Sequence, residues 1–392
     1  MTKTKVPRLR FSGFSGEWKE EKLGDVSTNS KGSGLSKESI NVDKKGQPVV
    51  HYADIYKFNN IVNEVIHWSE KDEGKIIPDN SVIFPMSDVT PNGLAKCSVV
   101  NVTRVKAGGD ILIFSMNQEI SSRYISYFIS GNKKKVLKLV SGTSVKHISS
   151  KSISKILISF PELNEQQKIG DFFAKQDKLI ELQTQKVDQL KKLKRGYLQK
   201  MFPQEGETVP RLRFSGFSGE WKEAKIEDIY SIGRGLVLSK KRISLNKTSG
   251  NIFPVYSSQT QNNGLLGYYS NYLYEDSITW TTDGANAGTV RFRSGKFYST
   301  NVNGVLTNSN GYCNSMMANA IDRVAYKYVS HVGNPKLMNN TMKIIKIKYP
   351  SIIEQKKISS FINNIDHIIE EQSNKIGELK KQKKSYLQKM FV

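Results

Sequence analysis

The 392-residue chain is written twice, and this repetition limits its fold more than any other feature. Residues 6–20 read VPRLRFSGFSGEWKE, and residues 209–223 repeat all fifteen letters unchanged. A second set of repeats is offset by 189 positions: PELNEQQKIGDFF at 161–173 matches PSIIEQKKISSFI at 350–362, and YLQKMF recurs at 197–202 and 386–391. The order is the same in both copies, so the chain is two half-copies of roughly 190–200 residues. Between the repeated pieces, residues 21–157 and 224–346 share little. Constant frames therefore flank two variable inserts, where specificity is expected to lie. The expected division is an N-terminal frame segment (1–20), a first insert (21–157), a first spacer helix (158–202), a linker with the repeated frame (203–223), a second insert (224–346) and a second spacer helix (347–392).

Each repeated C-terminal piece predicts a long helix. Pro161 stands outside it, and Asn164 with Gln167, or Ser351 with Glu354, has the spacing of an N-cap and its capping-box partner. From Glu165 to Lys200 such a helix spans roughly 54 Å at ~1.5 Å per residue. Apolar and seam residues recur at Ile169, Phe172, Leu179, Gln183, Leu190 and Tyr197, and again at Ile358, Phe361, Ile368, Gln372, Leu379 and Tyr386. The eleven-residue step from Leu179 to Leu190 predicts a coiled-coil seam with one local unwinding, the two helices pairing with each other. Gln183 and Gln372 are either buried polar contacts that fix register or glutamines solvated where the helices splay. The lysines of the last turns, among them Lys191, Lys194, Lys380, Lys383 and Lys384, suit a helix dipole and a solvated face, or else nucleic-acid phosphates.

The inserts mix strand and helix signals. SVIFPM (81–86), KCSVVNV (96–102) and DILIF (110–114) read as strands, and 119–130 as a helix with Tyr124, Phe128 and Leu137 inward. In the second insert SITWTT (277–282), AGTVRFR (287–293) and KFYST (296–300) read as strands and 315–329 as a helix. Each insert predicts a compact α+β domain.

Charge narrows the function. Lys and Arg number 59 against 36 Asp and Glu, a formal charge of +23, which points to a polyanion, most simply nucleic acid. Its placement tells more than its sum. From Ile120 to Pro161 there is no acid, and the window carries Arg123, Lys133, Lys134, Lys135, Lys138, Lys146 and Lys151, with Thr143 and His147 in the SGTSVKHISS stretch. Residues 284–353 hold a single acid, Asp322, against Arg291, Arg293, Lys296 and Lys343 among others, with Asn286 and Thr289 alongside. Such windows neutralise phosphates, and small polar neighbours let backbone approach a duplex. Arg291 or Arg293 is the expected base reader.

Enzyme chemistry is missing from the sequence. There is no G-x-x-x-x-G-K-[ST] loop and no dinucleotide fingerprint; the five histidines are scattered, and two distant cysteines exclude a disulfide framework and a cysteine zinc site. Glu17-Trp18-Lys19 and Glu220-Trp221-Lys222 look like part of a nuclease site, but the tryptophans are expected to pack the frame against a domain. No apolar run reaches the ~18–20 residues of a membrane span, and MTKTKVPRLRF is not a secretory signal, so a soluble, cytoplasmic protein without metal or catalytic site is expected.

Two variable domains, each followed by a P-x-x-x-E-Q-x-K-I helix ending in YLQKMF, with VPRLRF restarting the second half, resemble the DNA specificity subunits of type I restriction–modification systems over essentially the whole chain. The resemblance implies an α+β fold: two α/β target recognition domains separated by two long helices that form an antiparallel coiled coil, in a pseudo-two-fold repeat. It implies double-stranded DNA as ligand and two methylation subunits and motor-nuclease subunits as partners, with no membrane. It also implies no cofactor in this chain, S-adenosylmethionine, ATP and Mg belonging to the partners. Helix length would then act as a ruler between two half-sites, whose centres in symmetric binders lie ~34–36 Å apart or multiples of that. A self-contained restriction enzyme, a coiled-coil scaffold and a stand-alone RNA- or DNA-binding protein are the alternatives.

Overall fold

The computed structural model describes residues 5–259 and 261–391; the outermost residues of the first frame segment (1–4) and of the second helix segment (392) lie outside them. The chain folds as two compact units, Met1–Gln185 with Ser373–Val392, and Lys186–Gln372.

In the first unit β1 (Lys19–Lys22) opens the insert, followed by β2 (Ser27–Lys31), β3 (Ser81–Pro85), β4 (Ile111–Met116), α1 (Ser122–Gly131) and β5 (Leu157–Phe160). Strand β4 lies between β2 and β3, antiparallel to both. A smaller four-stranded sheet is built from the 47–50, 67–69, 75–76 and 106–107 segments. The apolar periodicity of α1 buries Tyr124 and Phe128 as expected, and Leu137 is partly buried against the same core. The stretch 96–102 forms only a two-residue strand, Val99–Val100, because Ser98 instead bridges Ile83.

The second unit begins with β6 (Lys222–Lys225) and β7 (Ser231–Arg234), and continues through β8 (Phe253–Tyr256), β9 (Leu265–Tyr269), β10 (Tyr274–Thr281), β11 (Val290–Ser299), β12 (Asn303–Thr307), α3 (Ser315–Ala325) and β13 (Lys346–Tyr349). The helix numbered between these two sets is α2 (Leu163–Met201), and the last is α4 (Ile352–Met390). Strands β7 to β12 make a six-stranded sheet in the order β7-β12-β10-β11-β8-β9, antiparallel except for the β8–β11 pair. The two sequence segments 287–293 and 296–300 are thus one ten-residue strand, β11.

Both inserts are closed by the same device. β1 pairs antiparallel with β5, and β6 with β13, four residues each. The expected boundaries at 20/21 and 157/158 therefore fall inside a hydrogen-bonded ladder, as do 223/224 and 346/347: Glu21 sits opposite Ile158, and Glu223 opposite Lys348.

Both spacer helices run 39 residues, and each contributes a segment to each unit. Helix α2 starts earlier than Asn164. Glu162 occupies the cap position, its carbonyl accepting from the Glu165 and Gln166 N–H groups, because the chain already turns there after Pro161. In α4, Ser351 is the N-cap, its hydroxyl accepting from the Glu354 N–H at 3.4 Å. The Glu354 carboxylate is engaged by Arg213.

Pairing within each unit is antiparallel. In the first, Phe172 meets Tyr386 at 5.2 Å and Asp177 pairs with Lys383; in the second, Tyr197 meets Phe361 at 5.1 Å and Lys194 pairs with Asp366 at 2.6 Å. Two plain heptad series of buried and half-buried positions run along the seam: Ile169, Gln176, Gln183, Leu190, Tyr197, and Phe173, Ile180, Val187, Lys194, Met201. The same series recur 189 residues on, from Ile358 and Ile362 to Tyr386 and Met390. Leu179 and Ile368 are not in the seam: they are 44% and 42% exposed, and their neighbours Ile180 and Ile369 take the position. One residue is roughly 100° of helix rotation, so the seam runs through Ile180 without the eleven-residue step expected from Leu179 to Leu190. Gln183 is buried and Gln372 half-buried.

The frame repeat also acquires a physical role. Arg10 donates Nε and Nη2 to the two carboxylate oxygens of Glu165 at 2.8 and 2.7 Å, and Arg213 does the same to Glu354 at 2.8 Å twice. The Leu9 N–H donates to the Lys389 carbonyl and the Leu212 N–H to the Lys200 carbonyl, filling acceptors that the last turn of a helix leaves open. Trp18 and Trp221 are buried in their unit cores, as expected of frame anchors.

Candidate nucleic-acid interface

The sheet of the second unit builds a polar cleft by simple alternation. Along β10 the side chains of Ile278 and Trp280 point into the apolar core with Met316, Met317 and Ile321 of α3. Ser277, Thr279 and Thr281 point to the other face and are just as buried, at 2%, 2% and 7% exposed. Strand β11 follows the same period. Val290 joins the core, and Arg291 and Arg293 join the polar face, Arg291 paired in register with Thr279. Asn303 of β12 lies opposite Thr281. Asn286 and Thr289 lie in the turn between β10 and β11, so four expected interface residues, Asn286, Thr289, Arg291 and Arg293, line one cleft.

Arg293, one of the two arginines expected to read a base, is enclosed by its neighbours. It is 5% exposed, its guanidinium lies 3.9 Å over the Tyr256 ring, and it donates to Thr279 Oγ1 at 3.1 Å and to the Asn263 carbonyl at 2.7 Å. That last bond holds the β8–β9 turn, where Asn262 and Asn263 both take left-handed backbone, the geometry of a tight hairpin turn. Burial lowers the pKa of Arg293, the Tyr256 ring opposes that shift and the neighbouring Arg291 adds to it; the group remains a cation at neutral pH. Arg291 is half-buried in the same cleft. Lys296 is exposed over Tyr272 at 4.8 Å, and Lys343 is exposed on the 339–344 helix; neither lines the cleft.

The first unit brings together a different set. The short Lys133–Leu137 helix and the end of α4 face each other across a cleft lined by Asn60, Asn132, Lys133, Lys134, Lys380 and Lys384, with Lys135 and Lys383 beside them. No carboxylate is among its described lining residues. Two of the lysines are already engaged: Lys135 donates to the Leu157 carbonyl at 2.9 Å, and Lys383 pairs with Asp177, which also accepts from the Tyr127 hydroxyl at 2.9 Å. Lys133, Lys134 and Lys384 are exposed. The convergence of residues some 250 apart in sequence gave no signal in the chain.

The remaining first-unit candidates are dispersed. Arg123 reaches Asp171 at 3.2 Å, so its charge is partly met. Lys146 donates to the carbonyls of Gly142 and Thr143 at 2.7 and 2.6 Å and so closes its own loop. Thr143, His147, Lys138 and Lys151 are exposed. Among the described residues no cluster of three or more His, Cys, Asp or Glu could hold a metal, and no helix is long and apolar enough to cross a membrane.

Comparison with known proteins agrees with this architecture. The family model for the type I restriction modification DNA specificity domain matches twice, over residues 15–192 and 218–381. A Mycoplasma pneumoniae protein described as the N-terminus of a type I specificity subunit is 41% identical over 145 residues, 36% of this chain and 76% of that one. The MpnII type I restriction enzyme specificity subunit from the same organism is 33% identical over 141 residues, 35% of this chain and 42% of its own length. Among solved structures, the S subunit of a type I restriction–modification system from M. genitalium superposes with a TM-score of 0.71 at 16% identity, covering 99% of each chain.

Proposed function

Since the chain belongs to the type I restriction–modification DNA specificity family, we propose that its two inserts each read one half of an asymmetric bipartite target in duplex DNA. The observation that carries this reading is the contrast between frame and insert. The two units share the Arg–Glu bridge, the closing ladder and the helix pairing, yet one insert holds a three-stranded sheet beside a four-stranded one and the other a single six-stranded sheet. Equal mounts with unlike heads suit two unlike half-sites. Helices α2 and α4 set the gap between them. The acid-free clefts supply the sequence-independent attraction to phosphate, and base edges met by the inserts supply the choice of sequence.

The chain itself carries no chemistry in this reading. It directs two methylation subunits, which bring S-adenosylmethionine, and motor-nuclease subunits, which use ATP and Mg. One relative by fold is described in the context of complex assembly in a type I system, with a TM-score of 0.54 at 14% identity.

Exchange of one insert tests the proposal. The junctions belong outside the closing ladder, so residues 19–160 are replaced as a block by those of another family member. One half-site of the methylated motif is expected to change and the other to persist. A simultaneous change in both would contradict independent reading.

A further inference from the structure

We infer that the polar cleft of the second unit, floored by Thr279, Thr281 and Asn303 and flanked by Arg291 and Arg293, is a phosphate subsite that seats one backbone phosphate of the bound duplex. The inference rests on the DNA-binding reading above and assigns the two arginines to positioning rather than to base choice.

The cleft holds unmet positive charge. Arg293 is almost wholly buried, yet among the described residues neither it nor Arg291 forms an ion pair, and no carboxylate lines the cleft. Asp322 acts on Arg291 only through space, because its carboxylate accepts the Val290 N–H at 2.8 Å on the core side of β11. A buried charge without a counter-charge is costly, and here a second cation of the same sign stands two residues along the same strand face. The hydrogen bonds of Arg293 to a threonine hydroxyl and a backbone carbonyl occupy Nε and one N–H of Nη1 and leave its charge unneutralised. An anion would neutralise it. A neutral base edge would not.

The surroundings suit a phosphate. The Thr281 hydroxyl and the asparagine amides can donate to its oxygens, the Thr279 hydroxyl being turned to the Arg291 carbonyl, and a guanidinium presents two parallel N–H groups at the right separation. Arg293 is held by Tyr256 and Thr279, so it supplies a fixed charge, while half-buried Arg291 keeps part of its surface open to solvent.

The test uses the full chain in complex with its methylation subunit and duplex DNA carrying the motif that the complex methylates. Arg291→Ala is expected to weaken binding about tenfold, equally for the cognate and a scrambled duplex. It should also flatten the salt dependence by about one phosphate contact and leave the methylated motif unchanged. A scan of neutral methylphosphonate linkages should find one position that weakens the wild type but costs Arg291→Ala nothing further. A control in which inorganic phosphate competes for the free chain separates a general anion site from one that needs the duplex, and only the duplex-dependent result supports the inference. Relaxation of one base position in the Arg291→Ala motif, or affinity and salt slope equal to wild type, overturns it. A wild-type complex that fails to bind duplex DNA would instead overturn the reading on which it rests.

Discussion

Arg10 and Glu165 meet through two parallel hydrogen bonds, with the carboxylate fully buried at the first turn of α2. This pair ties the frame repeat to the E-Q-x-K-I repeat, and Arg213 with Glu354 repeats it in the second unit. Two separate sequence motifs are therefore the two ends of one contact. Removing the acid leaves a largely buried guanidinium unpaired, so Glu165→Ala is expected to destabilise the first unit by about 3 kcal/mol. Hydrogen exchange should show protection lost in the first unit and kept in the second, and Glu354→Ala should give the reverse. Loss of less than about 1 kcal/mol would mark the bridge as a surface-type contact.

The seam register makes a sharp contrast between near neighbours. Phe173 is fully buried and stacks on Phe391 at 5.7 Å, whereas Leu179 is half exposed. Phe173→Ala is expected to cost about 3–5 kcal/mol, and Leu179→Ala under about 1 kcal/mol. Chemical denaturation of the two variants reads the difference, and equal losses would restore Leu179 to the seam.

Much of this molecule could be read from its sequence. The constant offset of 189 residues located both helices, their equivalence and the variable inserts. Register was harder. Leu179 and Ile180 are both apolar neighbours, and hydrophobicity alone does not say which one faces the partner. The same limit applies to Arg293: a basic window with a single acid marks it as an interface residue, but only the packing of Tyr256, the β8–β9 turn and β10 shows that it is enclosed. Thr279, Thr281 and Asn303 gave no signal as a group, since their shared face arises from strand pairing.

The lysine cleft of the first unit should act on affinity alone. Lys134 and Lys384 are exposed and approach from different elements. Lys134→Ala with Lys384→Ala is expected to weaken binding uniformly across sequences and reduce the salt slope by about two contacts. Fluorescence anisotropy at several salt concentrations measures both, and a sequence-selective loss would assign this cleft to base reading.

Helix length should set the gap without touching the half-sites. Lengthening α2 and α4 together by one heptad, which keeps the seam in phase, is expected to lengthen the unread spacer of the motif while each half-site stays as it was. An unchanged spacer would count against the ruler.

The most direct measurement is a map of every methylated adenine in a methylation-free host that carries this chain with its methylation subunit. The account predicts one asymmetric bipartite motif with a fixed gap, present with this chain and absent without it. Methylation that is symmetric, gapless or independent of this chain would contradict it.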